Sequence, residues 1–162
     1  MMEIELTQGF RALVDDQDFQ FLNGFKWCVK KHHRGLYAHR AIRNKAGSKS
    51  TITMHRQIMP DLIQIDHKNG NGLDNRRENL RPASAVQNKR NQRKRRRVGG
   101  TSSKYKGVCW FKGTGKWHAQ IGLNGKRRHL GFFVSEIAAA RAYNEAAVLH
   151  HGEFAVLNEI DH

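Results

Sequence analysis

Apolar and polar positions alternate along the leading third of the chain in short runs, each four to seven residues at most, separated by polar turns. Ile4 and Leu6, then Phe10, Ala12 and Val14, alternate as strands do around a turn at Gln8-Gly9. Asp16 or Asp18 is placed to cap a turn that buries Phe19 and Leu22. Trp27 to Val29 and Leu36 to Ile42 read as two strands joined across a basic link, and Thr51 to Met54 as a third. His55 to Met59 predicts a helical turn stopped by Pro60. Ile63 and Ile65 then form a short strand that runs into Asp66 and His67, with Asn79-Leu80-Arg81 as its return. Asn69-Gly70 and Asn71-Gly72 read as turns whose glycines accept positive φ. Ser84-Ala-Val-Gln87 has the form of a capping box, which puts Asn88 about one turn into a helix.

The pattern changes after the glycine and serine break at residues 98 to 103. Tyr105 to Phe111, Lys116 to Ile121 and Arg128 to Phe133 read as three consecutive strands, joined by turns at Lys112-Gly-Thr-Gly115 and Leu123-Asn-Gly-Lys126. Ser135 can cap a following helix in which Ala139, Ala142, Tyr143 and Ala146 recur at helical spacing. Small residues let that helix approach one sheet face closely and leave the other face open. Trp117, Ala119 and Ile121 alternate with Lys116, His118 and Gln120, so the polar set belongs to the open face. The fold class is α+β, with a domain at residues 1–97 that includes its basic flank, a linker at 98–102, and a second domain at 103–162.

Charge narrows the partner. Lys and Arg number 29 against 14 Asp and Glu, a formal charge of +15, which draws a polyanion over a distance. Seven of the nine residues from Lys89 to Arg97 are basic, a density that repels itself unless a polyanion lies alongside. No long apolar span, secretion signal or lipidation signal is present, so a membrane is set aside in favour of nucleic acid. Cys28 and Cys109 are isolated, which excludes a CxxC zinc site or a disulfide framework and fits a cytoplasmic location. Asp15, Asp16 and Asp18 lack the spacing of a calcium loop.

The polar middle carries the chemistry. Asp66 offers an anionic oxygen and Asn88 a neutral one, a set suited to a hard divalent ion such as magnesium or manganese. His67 is left outside that shell as general base toward an attacking water. Asn79 is suited to bonding the other ring nitrogen or a backbone group. Arg76, Arg77 and Arg81 are candidate grips on phosphate, as are Lys89, Arg90, Arg93, Lys94, Arg95, Arg96 and Arg97. His55 has open readings as a buttress, a phosphate contact or a packed structural residue. The competing reading of the whole segment is a polar turn with an exposed histidine.

Asp66-His67, Asn69-Gly-Asn, Leu73-Asp-Asn-Arg76, Glu78-Asn-Leu80 and Gln87-Asn88 together resemble the His-Asn-His (HNH) endonuclease family, specifically its phage homing and free-standing members. Trp27 and Met54-His-Arg56 extend the resemblance over roughly residues 3 to 92. It implies a ββα-metal fold with His67 as base, Asn79 as its support, and Asp66 and Asn88 as metal ligands. Asn88 stands where the family name has its last histidine, which implies a magnesium or manganese site rather than tightly held zinc or nickel.

Ser103-Lys-Tyr-Lys-Gly-Val108, Gly115-Lys-Trp-His-Ala-Gln-Ile121, Leu130-Gly-Phe-Phe133 and Ala138 to Ala147 resemble the AP2 DNA-binding domain over residues 103 to 158. That resemblance implies a three-stranded sheet laid into a major groove with a helix behind it. Cys109 and Phe111 stand where plant members usually carry arginines, so target sequence does not transfer. Lys106, Trp110, Lys112, Lys116, His118, Gln120, Arg127 and His129 are the candidate contacts. The expected whole is a site-directed DNA endonuclease in a bacterial or phage-infected cell. One pocket per monomer makes nicking the natural product, with a dimer or sequential nicks as routes to a double-strand break. The alternative is a DNA-binding regulator carrying an inactive nuclease relic.

Overall fold

The structure, a computed structural model, describes residues 1–32, 35–43, 47–92, 94 and 102–160. Backbone contacts divide the chain into two compact units, Met1–Asn88 and Lys89–His162. Lys89 and Arg90 thereby group with the second unit, whereas the sequence assigns them to the first domain. Arg93, Arg95, Arg96, Arg97 and residues 98–101 of the expected linker lie outside the described residues.

In the first unit β1 (Met2–Glu5) pairs antiparallel with β2 (Arg11–Val14), placing Ile4 opposite Ala12 on the core side. Gln8 at φ 65° and Gly9 at φ 73° close the turn between them. Helix α1 (Asp16–Asn23) buries Leu22, and the Trp27 indole N–H donates to Leu22 O at 2.8 Å. That bond satisfies a ring that is only 1% exposed at the centre of the core. Strands β3 (Cys28–His32), β4 (Gly35–Arg43) and β5 (Lys49–Thr53) make an antiparallel sheet with β4 in the middle. Helix α2 (Met54–Ile58) turns off β5 and buries Met54 and Ile58.

Two local expectations are corrected. Ile63 is 88% exposed and outside any strand, because β6 begins only at Ile65 (Ile65–His67). Neither Asp16 nor Asp18 caps α1, whose N-cap position is Asp15 and has no side-chain cap bond. Asp15 Oδ2 instead accepts from Arg77 N at 2.7 Å, and the Asp18 carboxylate holds the Arg77 guanidinium at 2.7 and 2.8 Å. The acidic leading segment is a clamp on the polar middle, fifty-nine residues away in sequence at its Asp18–Arg77 contact.

In the second unit β8 (Val108–Phe111), β9 (Lys116–Leu123) and β10 (Lys126–Phe133) form an antiparallel sheet with β9 central. Asn124 at φ 49° and Gly125 at φ 78° make the tight β9–β10 turn, the conformation an Asn-Gly pair tolerates best. Helix α4 (Glu136–His151) is capped by Ser135 Oγ, which accepts from Ala138 N, and buries Ala139, Ala140, Tyr143 and Ala147 against Val108, Ala119 and Ile121. Among the described residues no helix is long and apolar enough to cross a membrane.

Candidate active site and nucleic-acid face

In the first unit, β6 and β7 (Leu80–Pro82) pair antiparallel, with Asp66 opposite Arg81 and His67 opposite Leu80. Helix α3 (Ala85–Arg90) follows, opened by the reciprocal capping box the sequence predicts: Ser84 N donates to Gln87 Oε1 at 2.7 Å, and Gln87 N to Ser84 Oγ at 3.2 Å. From the first turns of that helix Asn88 Nδ2 donates to Ile65 O at 3.2 Å, 23 residues away in sequence. Asn88 is thus fastened beside the strand that carries Asp66 and His67. With its nitrogen turned to Ile65, the amide oxygen is left as an acceptor.

Asp66 is 4% exposed and Arg81 6%. Asp66 Oδ2 accepts from Arg81 Nε at 3.0 Å and Nη2 at 2.8 Å, so Arg81 is a buried ion-pair partner rather than the phosphate grip expected of it. Arg76 is likewise engaged: Nε and Nη2 bond the two Asp74 oxygens at 2.8 Å each, and Nη1 bonds Glu78 at 2.6 Å. That pair holds the Asp74 pKa below its ordinary value, the Arg76 hydrogen bonds being the main cause. With Arg77 bound to Asp18, all three arginines of the segment serve to fix its shape.

The loop from His67 to Leu80 is held by amides. Asn79 Nδ2 donates to Asp74 O at 2.7 Å and Asn79 Oδ1 accepts from Asn69 N at 3.0 Å, so of the two roles open to it Asn79 takes the backbone one. Asn69 Nδ2 donates to Asp74 Oδ2 at 2.8 Å, and Asn69 Oδ1 accepts from Asn71 N. Gly70, at φ 73°, is the turn glycine its sequence predicts. Gly72 is not a positive-φ glycine; it is needed for room, because a Cβ there would lie 2.5 Å from both Leu36 O and the Tyr37 ring.

His67 is 5% exposed, which removes the reading of an exposed histidine on a polar turn. Its surroundings are aromatic and polar: the His55 ring centroid lies 5.0 Å away and that of Tyr37 5.7 Å away, both edge-on. Burial lowers the His67 pKa, opposed by the neighbouring Asn75 amide and by the charges of Asp66 and Asp74. The balance leaves a neutral imidazole, the form a general base requires. Burial also pushes His55 down to about 3, with the nearby His67 and Arg56 charges adding to the shift.

Spacing in the sequence gives four residues of this site no single role. His55 and Tyr37 stand against His67, and the fully buried Asn75 lies beside the same ring, where its amide opposes the effect of burial on the His67 pKa. Arg56 donates to the carbonyls of Leu62 and Ile63, tying down the approach to β6. Nothing in spacing alone distinguishes Asn75 from its neighbours.

In the second unit the register separates the two sheet faces. Cys109 lies opposite His118, Phe132 opposite His118 on the other side, and His129 opposite Gln120, all on the face away from α4. His118 Nε2 and His129 Nδ1 are 2.7 Å apart, with Phe111 and Phe132 packed around the pair and Lys112, Lys116 and Arg127 exposed nearby in the chain. Three expected contacts are placed elsewhere. Trp110 pairs with Trp117 on the helix side, ring centroids 5.1 Å apart. Lys94 Nζ donates to the carbonyls of Ser103, Tyr105 and Val108, and Lys106 Nζ to Arg90 O at 2.6 Å, where burial lowers its pKa to about 8. Lys89 is exposed and Arg90 half-buried at the end of α3.

A family model described as HNH endonuclease matches residues 57–90, the span that runs from α2 to the end of α3. An uncharacterized HNH endonuclease of Acanthamoeba polyphaga mimivirus is 35% identical over 161 residues, which cover 95% of this chain and 78% of that protein. The chain belongs to the HNH endonuclease family. It is also similar to plant proteins: 40% identical over 78 residues to APETALA2-like protein 2 of Oryza sativa, and 46% identical over 57 residues to the AP2-like ethylene-responsive transcription factor TOE2 of Arabidopsis thaliana. Those matches cover 48% and 35% of this HNH endonuclease homologue but only 17% and 12% of the plant proteins. The sheet β8-β9-β10 packed on α4 matches an AP2-like fold, so an HNH-like domain and an AP2-like domain are joined in one chain.

Proposed function

We propose that the chain is a metal-dependent, site-directed endonuclease that hydrolyses a phosphodiester in double-stranded DNA, nicking as a monomer in a homing or mobile-element role. The observation that supports this reading is the Asn88–Ile65 bond, which fastens Asn88 beside the strand that carries Asp66 and His67. The succession β6, β7, α3 is read as the ββα-metal motif, with the AP2-like sheet supplying register on the duplex.

The donor chemistry fits a hard cation. Asp66 and Asn88 would hold magnesium or manganese through oxygen, and among the described residues no group of three or more His, Cys, Asp or Glu that could hold a metal ion is found. Such a cation, when bound, stabilises the negative charge that develops on the phosphate. His67, kept neutral by burial, takes the proton of the attacking water. Asn79 keeps the loop from Asn69 to Asp74 folded beneath it. Lys112, Lys116, His118, Gln120, Arg127 and His129 face the DNA, with Lys89 and Arg90 and the basic residues beyond them along its backbone.

Supercoiled plasmid with and without magnesium or manganese tests the reading. Nicked circles are expected from the intact chain, with strong loss in His67→Ala and Asp66→Ala; equal cleavage by the His67 variant would overturn the assigned base. A second reading, a DNA-binding regulator with an inactive nuclease relic, is favoured by the buried Arg81–Asp66 pair, which already neutralises the expected ligand. It predicts site-specific binding without divalent ions, no heat of manganese binding in calorimetry, and no cut strand.

A further inference from the structure

We propose that His55 and Tyr37 are positioning residues for the His67 imidazole, secured by Thr53 on one side and by the room that Gly72 leaves on the other. The inference rests on the nuclease reading of His67. Three rings from three distant segments meet here: Tyr37 from β4, His55 from α2 and His67 from β6. Their centroids are 5.0 Å (His55–His67), 5.7 Å (Tyr37–His67) and 6.0 Å (Tyr37–His55) apart, with interplanar angles of 85°, 64° and 71°. Each ring therefore blocks rotation of the others, as edge-to-face pairs do.

A histidine is a costly filler for such a place, since a leucine or phenylalanine would fill it without desolvating ring nitrogens. Position 55 uses its polar atom: His55 Nε2 and Thr53 Oγ1 are 3.0 Å apart, which orients the His55 ring and through it the edge presented to His67. The two nitrogens of His67 are chemically distinct, so the ring's orientation decides which of them is presented as the base. Tyr37 completes the wall, and its ring position is set by Gly72, where any Cβ would displace it. Neither His55 nor Tyr37 is assigned a contact with substrate; both act through His67.

Packing and positioning separate in His55→Phe, which keeps a ring of similar size and removes the Thr53 contact, and in Thr53→Val, which removes the same contact from the other end. The expected result is a fall of about 10–100-fold in kcat for plasmid nicking in both, the scale on which outer supports of catalytic groups act. KM for DNA and the melting temperature should hardly move, and Thr53→Ser should restore the rate. Nitrogen-15 spectra of the imidazoles should show one tautomer for His67 in the intact chain and averaging between two in His55→Phe. Intact nicking by His55→Phe, with unchanged His67 ring signals and an inactive His67→Ala control, would overturn the proposal. If the intact chain cuts no DNA, the nuclease reading fails instead, and the imidazole spectra alone decide this one.

Discussion

The two units place their polar residues in opposite ways. The first buries Asp66, His67, Asp74, Asn75, Asn79 and Arg81 in and around a short two-stranded sheet, whereas the second keeps Lys116, His118, Gln120, Arg127 and His129 on an open sheet face and buries mainly alanines behind it. A buried polar cluster is expensive and survives only when its members hold one another, as Arg76 holds Asp74, Arg81 holds Asp66 and Asn79 holds the loop backbone. An open face needs no such support. Under the proposed function, the contrast separates a site that acts on one atom from a surface that lies along a polymer.

The largest effect that bears on this contrast is chemical. His67→Ala should lower the nicking rate about 10²–10⁴-fold, the range for loss of a general base, while DNA affinity measured by anisotropy stays near that of the intact chain. A comparable loss of affinity would merge the two roles that the units are assigned. Next comes the cost of opening the ion pair. Arg81→Ala strands the Asp66 carboxylate at 4% exposure, and chemical denaturation should show a loss of about 3–5 kcal/mol. Added manganese should return part of that stability if Asp66 is a ligand, and none if it is not.

Proton linkage sharpens the same point. His55 has a folded pKa of about 3 against 6.5 in the unfolded chain, so below pH 6.5 the unfolded state binds the extra proton. Stability of the first unit should be unaffected by this group above pH 6.5 and should decline as pH falls toward 3, and His55→Phe should flatten that slope in thermal melts. At Gly72 the expectation is steric. Gly72→Ala should cost about 1–3 kcal/mol by forcing Tyr37 aside. Gly70→Ala, with nothing within 4 Å but φ at 73°, should cost about 1–2 kcal/mol for backbone reasons alone.

How much of this was legible beforehand differs between the units for a physical reason. Alternation, an Asn-Gly turn and a Ser-capped alanine helix are local signals, and β8, β9, β10 and α4 follow them closely because each element's neighbours in space are its neighbours in sequence. In the first unit the local signals predicted β6, β7 and the capping box but not what the charged residues would hold. Arg77 finds Asp18 fifty-nine residues back, and Arg81 finds Asp66 only because the strand register sets them opposite each other. Tyr37 and His55 reach His67 through tertiary packing that leaves no trace in spacing. Gly72 misled for the converse reason: an Asn-Gly pair signals a turn wherever it occurs, and here the glycine answers to a ring thirty-five residues away in the chain.

The smallest expected effect tests the open face. Lys116 is exposed and carries no acidic partner in the ion pairs of the described residues, and Arg127 is exposed on the neighbouring strand. If each meets a phosphate, replacing it by alanine should weaken binding of all duplexes alike and reduce the slope of log affinity against log salt by about 0.9. Gln120→Ala should leave that slope unchanged and instead narrow the difference between target and non-target duplexes, because an amide reads base edges and carries no charge. A salt slope unaltered in Lys116→Ala would move the polymer-binding role away from this sheet and toward the basic run that starts at Lys89, and the contrast between a buried site and an open sheet face would no longer describe how the chain meets DNA.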